Sequence, residues 1–491
     1  MKKIIARARA RNMLCIAIDR LNSDFLGAYG SSLLQTAAFD EFAAESVLFD
    51  NYFTTSLDLP TLYRAFWYGE SPATVKPGSA RDPERSLFHA LKENGYRVYV
   101  ISDVKSVVFS DLISDDDCDG RVFVESLPAT SPRDDVEETA FFKNFEELAK
   151  LVTKVEKETR FDEPSPWFIW AHFSGWDEQW DFPVEARELL REDDDPEPYL
   201  DVAPPYWRRD KECDSKGRPE ESAEVARLNL LDEAERRQSV VEAYAGGIAL
   251  FDETFAGFCD LLRERRVFDS ALTALVGTRG CPLGAPGALG VSNDASASPF
   301  YAEEIRAPLA IRIPREIGAT FRLPTLCEPR DLYATFKAWR DFAPTLNDEN
   351  FWRLESLEAS PLVAAWTTRF APPEDRAQTL ARLAALDPTT PGVNLLALLP
   401  TEDDPARDSC LAVRKDAESC ERALLTKDWF LKKNPLPERD PDEVPLDPSK
   451  RFELFTAPDD RYCVNDVADR CDDETETLAA VLEKASRDER A

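Results

Sequence analysis

Two histidines set the first limit on the chemistry of this chain. Among 491 residues, only His89 and His172 carry an imidazole, the side chain that most often ligates transition metals and transfers protons near neutral pH. Two imidazoles cannot build a multi-histidine metal centre. Any catalytic role for an imidazole therefore depends on one of these two residues.

The second candidate group is a carboxylate at the end of an apolar run. Residues Met13 to Ile18 are apolar, and Asp19 follows them directly. This pattern is typical of a buried parallel strand whose carboxyl end carries a site. His172 follows the run Trp167–Ala171 in the same way. Each residue also has a structural interpretation, since Asp19 could cap a turn and His172 could be a buried histidine without a chemical role.

The elements around these residues alternate between helices and short strands. This alternation predicts an α/β fold with a mostly parallel central sheet between two layers of helices. The sequence predicts further strands at Val47–Phe53, Tyr96–Ile101, Leu272–Val276 and Leu309–Ile313. It predicts helices at Thr36–Glu45, Leu62–Tyr68, Leu87–Asn94 (which carries His89 as a surface or packing residue), Phe141–Glu156, Ala223–Arg265 and Asp331–Phe342.

The order of the predicted helices and strands divides the chain into two predicted domains. Residues 1–345 form the α/β domain, and residues 346–491 form a small α+β domain with strands near Ala423–Leu431 and Phe452–Phe455 and a helix at Glu474–Ala485. An insertion at about 181–222 is rich in Pro, Asp and Glu. Such a composition favours a solvated loop, and a functional lid is the alternative.

Charge and composition exclude several classes of function. The chain has 60 basic and 93 acidic residues, a formal charge of −33, which repels nucleic-acid backbones and anionic membrane surfaces. The ten cysteines include no CxxC pair, so a structural zinc site is not expected. No apolar segment is long enough for a membrane span, and the start lacks the apolar core of a signal peptide. We therefore expect a cytoplasmic protein with reduced thiols.

Several segments, in order, resemble sulfatases of the alkaline-phosphatase superfamily. The opening "NMLCIAIDRLNSDFLGAYG" is similar to the family's first strand, metal-binding Asp and following turn. Later similarities are "AAFDEFAAESVLFDNYFTTS", "LFHALKENGYRVYVISD", "PWFIWAHFSGWDEQWDFP", "YAGGIALFDETFAGFCDLLRERRVFDSALTALVGTRG", "FYAEEIRAPLAIRIP", "LLTKDWFLKK" and "FELFTAPDDRYCVNDVA". The resemblance implies a site with a divalent metal, usually calcium, held by several carboxylates. It also implies a formylglycine nucleophile made from Cys or Ser, basic residues, and a histidine at the position of His172.

The metal positions depart from the family pattern. The resemblance places Asp19 at the first metal carboxylate, but Arg20 stands where many members have a second Asp. Thr278 and Arg279 stand where the family has an Asp followed by His or Asn. A guanidinium cannot ligate calcium, and a neutral hydroxyl is a poor ligand. We therefore expect two unpaired cations facing each other and no cofactor, with calcium bound only if the site is active.

The nucleophile segment "TTSLDLPTLYRAFWYG" departs from the family as well. Aligning Pro60 with the motif's proline places Asp58 at the nucleophile position, whereas aligning Arg64 with the motif's arginine places Pro60 there. Neither residue can be oxidised to formylglycine. Asp58 would be an aspartyl nucleophile or, in the favoured interpretation, the cap of a helix. A slipped register would offer the hydroxyl of Thr55, Ser56 or Thr61.

Three functional hypotheses remain open at this point. The leading one is a pseudo-sulfatase in which Arg20, Arg64 and Arg279 hold a sulfated or phosphorylated small molecule or glycan without cleaving it. The second is an active sulfuric-ester hydrolase with a non-standard nucleophile and metal site. The third is an acidic scaffold whose insertion binds a basic protein partner.

Overall fold

The computed structural model describes most of the chain. The described residues are 11–72, 82–125, 128–161, 165–208, 214–215, 223–284, 288–291, 300–342, 392–398, 408–415, 420–433, 451–457 and 459–487. The predicted domain boundary at 345/346 lies outside them and stays a prediction.

Short strands and longer helices alternate over the first two thirds of the chain. The strands are β1 (Asn12–Ile18), β2 (Val47–Tyr52), β3 (Arg97–Ser102), β4 (Gly120–Phe123), β5 (Trp167–Phe173), β6 (Pro205–Arg208), β7 (Asp214–Ser215), β8 (Ala271–Gly277), β9 (Ala288–Gly290), β10 (Leu309–Arg312), β11 (Arg322–Cys327), β12 (Ser409–Lys415), β13 (Cys420–Thr426), β14 (Trp429–Lys433) and β15 (Phe452–Thr456). The α-helices are α1 (Ala37–Ala44), α2 (Leu59–Tyr68), α3 (Leu87–Lys92), α4 (Lys105–Val108), α5 (Ala140–Phe161), α6 (Val184–Arg187), α7 (Ala223–Leu230), α8 (Glu233–Glu264), α9 (Ala302–Ile305), α10 (Pro329–Phe342) and α11 (Asp472–Arg487).

The largest sheet of the described residues has eight strands in the order β11-β2-β10-β8-β1-β5-β3-β4. Only β10 runs antiparallel to its neighbours, β2 and β8. A separate antiparallel sheet, β12-β13-β14-β15, follows towards the end of the chain. The predicted fold class is therefore confirmed: a mostly parallel sheet flanked by helices, with a small C-terminal α+β unit.

Burial on both faces explains why the central strands are continuous apolar runs. In β1, Leu14, Ile16 and Ile18 join one hydrophobic cluster, whereas Met13 and Cys15 join the cluster on the opposite face. Successive side chains of a strand point to opposite faces, so a strand covered on both sides needs apolar residues at every position.

The register brings the carboxyl ends of the central strands to one edge. Ile18 of β1 lies beside both Phe173 of β5 and Gly277 of β8, and Ser102 of β3 lies beside His172. Residues that follow these strands must therefore meet at this edge, which is where ligands bind in open α/β sheets.

Two predicted elements differ from the structure. The predicted helix Ala223–Arg265 is two helices, because Asp232 caps α8 in a capping box with Glu235. The predicted strand Ala423–Leu431 is the hairpin of β13 and β14. Strands β4, β6, β7, β9, β11 and β12 have no counterpart in the prediction.

The first part of the predicted insertion is packed at its two ends, so the expectation of a solvated loop is wrong for residues 181–183 and 198–207, whereas residues 192–194 are exposed. Its centre is Arg187, whose side chain is fully buried. The guanidinium donates to the carbonyl oxygens of Phe182 (3.1 Å), Asp201 (3.1 Å), Tyr199 and Trp180. One side chain therefore joins two stretches of backbone, 180–182 and 199–201.

None of the helices in the described part of the chain is long and apolar enough to cross a membrane.

We predict that Arg187→Ala lowers the free energy of unfolding by about 3 kcal/mol or more, because buried carbonyl groups lose their donors. Arg191→Ala is the matched control from the same segment, since Arg191 pairs with Glu188 and Glu197 near the surface; it should cost under about 1 kcal/mol. Urea denaturation measures both. Equal, small losses would mean that Arg187 does not organise this segment.

Candidate functional site

Four parts of the chain converge beside the carboxyl end of β1. The Asp19 amide donates to the carbonyl of Phe173 at 2.9 Å, and the Thr278 amide donates to the carbonyl of Ile18 at 2.9 Å. Gly175 has φ +55°, and a Cβ there would lie 2.1 Å from the Asp19 carbonyl oxygen. Only glycine permits this close approach of the loop after β5.

The Asp19 carboxylate is fully engaged by protein groups. It is 1% exposed. Arg279 donates Nε to Oδ1 at 2.9 Å and Nη2 to Oδ2. The hydroxyl of Thr278 and the amide of Arg20 donate to Oδ1 at 2.7 and 3.1 Å. A bidentate arginine–carboxylate pair therefore lies where the family resemblance implies a metal.

The electrostatics of this pair favour the charged form of both groups. Burial alone would raise the pKa of Asp19, but the charge and hydrogen bonds of Arg279 hold that pKa below its usual range. Burial opposes the charge of Arg279, yet Asp19 and Asp177 raise the pKa of the guanidinium above its ordinary value. The pair is an ion pair at neutral pH.

Arg20 is held by a second set of acceptors. It has φ +61°, and its side chain donates to Asp177 Oδ1 at 3.0 Å and to the Gly280 carbonyl at 2.9 Å. Glu304 lies 3.6 Å away. Asp177 also lies 3.4 Å from Arg279. The expectation of two unpaired cations is therefore wrong, because Arg279 pairs with Asp19 and both guanidiniums contact Asp177, a residue that the sequence did not single out.

The charged network continues into the C-terminal sheet. Glu304 of α9 lies 3.7 Å from Arg414 of β12, which is itself 3.5 Å from Glu421 of β13. Alternating charges therefore run from Asp19 to the second sheet. The only sequence signal for these partners was their charge, since no local pattern joins residues so far apart.

The donor set at this edge does not fit a dication. Calcium takes six to eight oxygen ligands, with several carboxylates among them. Here the one motif carboxylate, Asp19, already accepts four hydrogen bonds, and two guanidiniums contact the neighbouring acidic groups. Among the described residues, no group of three or more His, Cys, Asp or Glu side chains is arranged to hold a metal.

The residues of the segment predicted to carry the nucleophile make contacts that stabilise the structure. Asp58 caps α2 by accepting a hydrogen bond from the Thr61 amide at 2.9 Å, as the favoured interpretation expected. Its neighbour Leu57 offers a carbonyl to Arg279 Nη1 at 2.7 Å. Arg64 of α2 pairs with Glu70 at 2.5 Å. The structure thus brings the Asp58 segment to Arg279 and gives Arg64 an acidic partner.

His172 lies beneath this edge without a polar contact. It is fully buried, and neither ring nitrogen has a hydrogen-bond partner among the residues that the structure describes. Its ring packs edge-on against Tyr63 at 5.5 Å. Desolvation lowers its pKa, so the imidazole is neutral at pH 7. His89, in contrast, lies on α3 with Nδ1 3.0 Å from Asp117.

The fold and the gathered strand ends define a class, that of α/β proteins of the alkaline-phosphatase superfamily. The sulfatase family profile matches residues 11–346, so the chain belongs to the sulfatase family, as the sequence resemblance indicated. A search of curated proteins finds no match.

Solved structures with the same fold cover nearly the whole chain. One is a protein in complex with its substrate D-glucosamine-2-N,6-O-disulfate, at 14% identity and TM-score 0.61, with 98% of each chain covered. Another is the phosphonate monoester hydrolase of Agrobacterium radiobacter, at 14% identity and TM-score 0.60, covering 98% of this chain and 96% of that one. A third is a 2-O GAG sulfatase at 13% identity and TM-score 0.60, covering 98% and 93%. At such identities the likeness shows the fold alone.

We predict that Asp19→Asn lowers the free energy of unfolding by about 3–5 kcal/mol, because Arg279 is left as a buried charge without its bidentate partner. The double variant Asp19→Leu/Arg279→Leu should recover most of this loss, since apolar pairs often replace buried ion pairs at little cost. Chemical denaturation of the parent, Asp19→Leu, Arg279→Leu and the double variant gives the coupling energy. Additive losses would contradict a direct ion pair.

We predict that the two histidines change the free energy of unfolding in opposite directions as the pH falls. Because the pKa of His172 is lower in the folded protein, the unfolded chain binds the proton first, near pH 6.5, and acidification below that value destabilises the fold. His172→Phe should therefore gain stability relative to the parent as pH falls from 7 to 5, by at most about 1.4 kcal/mol per pH unit.

His89→Gln is the matched control for this experiment. The hydrogen bond to Asp117 raises the pKa of His89, so its contribution is present at low pH and is lost as pH rises through the folded pKa. That variant should lose stability relative to the parent on acidification. A pH-independent difference for His172→Phe would refute the buried neutral imidazole.

Proposed function

We propose that this protein is a sulfatase-family member that does not hydrolyse sulfate esters and acts instead in binding or regulation. The observation that carries the proposal is the contact of Arg279 with both oxygens of Asp19. Ester cleavage of the family type needs a cation that polarises the ester oxygen, and here the acceptor that would hold such a cation already binds a guanidinium.

The nucleophile segment supports the same proposal. Asp58 has no thiol or hydroxyl to oxidise, and its carboxylate is used as the cap of α2. The described segment from Thr54 to Leu57 is held in place by backbone contacts, since the Thr54 amide donates to Ile305 and the Thr55 carbonyl accepts from Val413.

A sulfated or phosphorylated saccharide or small molecule is the proposed ligand class. One structural relative is described with a disulfated glucosamine as its substrate. Arg20 and Arg279 are already paired with Asp177 and Asp19, and Arg64 is paired with Glu70. An anion would have to exchange with these carboxylates, so we expect weak, salt-sensitive affinity.

We further propose that the protein acts in the cytoplasm, where its free thiols stay reduced.

We predict no turnover of aryl sulfates or phosphonate monoesters with added calcium, magnesium or manganese. Mass analysis of the peptide spanning residues 54–64 should give the unmodified mass. An aldehyde in that peptide, or metal-dependent turnover that Asp19→Asn abolishes, would overturn the proposal.

A matched pair of variants tests the aspartyl-nucleophile alternative in the same assay. Asp58→Asn and Asp82→Asn both keep a residue suited to helix capping, and Asp82 caps a turn at 83–85 by accepting from Glu84. Any trace activity should be equal in the two proteins. Selective loss in Asp58→Asn would favour a carboxylate nucleophile.

A further inference from the structure

Four oxygen atoms from three parts of the chain face the Arg279 guanidinium. They are Oδ1 of Asp19 at 2.9 Å, Oδ2 of Asp19, the carbonyl oxygen of Leu57 at 2.7 Å and Oδ1 of Asp177 at 3.4 Å. Arg279 is 6% exposed and Asp19 is 1% exposed. The cation is therefore solvated almost wholly by protein oxygens.

Two features make this oxygen set more than a surface ion pair. Its two carboxylates come from the loops after β1 and β5, and its carbonyl comes from the turn before α2, so one cation joins three segments. Hard oxygen donors of this kind serve guanidinium and calcium alike, although a guanidinium uses directed N–H bonds and calcium needs more ligands or water.

Truncation of Arg279 would leave the carboxylates in an unfavourable state. Asp19 would keep its bonds from Thr278 and the Arg20 amide, but it would lose the charge that offsets its burial. Arg20 contacts the same Asp177 oxygen, Oδ1, at 3.0 Å and would still pair with that carboxylate. One buried negative charge would then lack a counter-charge, which favours uptake of a small cation.

We propose that Asp19, Asp177 and the Leu57 carbonyl form a small-cation site that this chain fills with its own Arg279 side chain. The inference deepens the proposed function, since it names the resident cation that stands in place of an exchangeable one. It goes beyond the roles that the resemblance assigns, because neither Asp177 nor the Leu57 carbonyl is given a role there.

The test is cation-dependent stability of Arg279→Ala in the full-length protein. The melting temperature is measured in sodium chloride, with guanidinium chloride at about 10 mM, far below the molar range in which it denatures proteins, and with calcium chloride, all at matched ionic strength. We expect guanidinium, calcium or both to raise the melting temperature of Arg279→Ala by about 3 °C or more, and the parent to be unaffected.

Arg312→Ala is the matched control. Arg312 is 5% exposed and donates to the Glu45 carboxylate at 2.9 Å and the Phe268 carbonyl at 2.9 Å. The Arg312→Ala variant therefore also removes a buried arginine, but this arginine lies beside a single close carboxylate. Calcium should not stabilise it. Arg279→Ala/Asp177→Asn should lose the calcium response, because one of the two carboxylates is gone.

Two outcomes overturn the proposal. One is a folded Arg279→Ala protein that neither cation stabilises, and the other is an equal calcium response in Arg312→Ala. If Arg279→Ala is insoluble, Arg279→Ser, which likewise removes the charge and leaves room for a cation, takes its place, and absence of a cation response there also overturns the proposal. Hydrolysis by the parent protein would overturn the proposed function instead, so the two failures are distinguishable.

Discussion

The ion pair of Asp19 and Arg279 is the interaction on which the rest of this edge of the sheet depends. A carboxylate buried at the end of a central strand is costly unless it is both paired and hydrogen-bonded. Arg279 meets that requirement with a bidentate contact to Asp19, and its Nη1 donates a hydrogen bond to the Leu57 carbonyl. The strand ends and the turn before α2 are therefore positioned by one guanidinium.

Charge balance explains why a protein with a net charge of −33 has arginines concentrated at this edge. Arg20, Arg279 and Arg414 alternate with Asp19, Asp177 and Glu304. Each buried charge has an opposite neighbour within 4 Å, so the network carries little net field. Such a network fixes geometry more than it adds stability, because desolvation offsets much of the Coulomb attraction. The C-terminal sheet joins it through Arg414 and so has a defined position relative to α9.

The sequence predicts the parts of this structure that depend on local pattern. Continuous apolar runs located β1, β5 and β8, and the order of family-like segments located Asp19, Thr278 and Arg279 at one edge. Asp177 could not be found in this way, since its role comes from the close approach of the loop at Gly175 to Asp19.

The packed part of the insertion shows the limit of composition as a guide. Its acidic and proline content favours a loop, yet Arg187 is fully buried and donates to the carbonyl oxygens of Tyr199 and Trp180. A buried guanidinium with carbonyl partners leaves no periodic signal in the sequence. The same reason hides the pairing of Arg20 with Asp177, and both sets of contacts join residues that are separate in the sequence.

The arrangement separates what the fold requires from what ester hydrolysis requires. The fold needs a positive charge beside Asp19, because that carboxylate is buried by the register of β1 between β5 and β8. Hydrolysis needs more, namely a cation with open coordination positions and a nucleophile that can reach the ester. A guanidinium satisfies the first need completely and the second not at all, since its donors are all directed at protein oxygens. A sulfatase fold can therefore stay intact around a site whose donors do not suit a dication, because the fold itself requires only the positive charge.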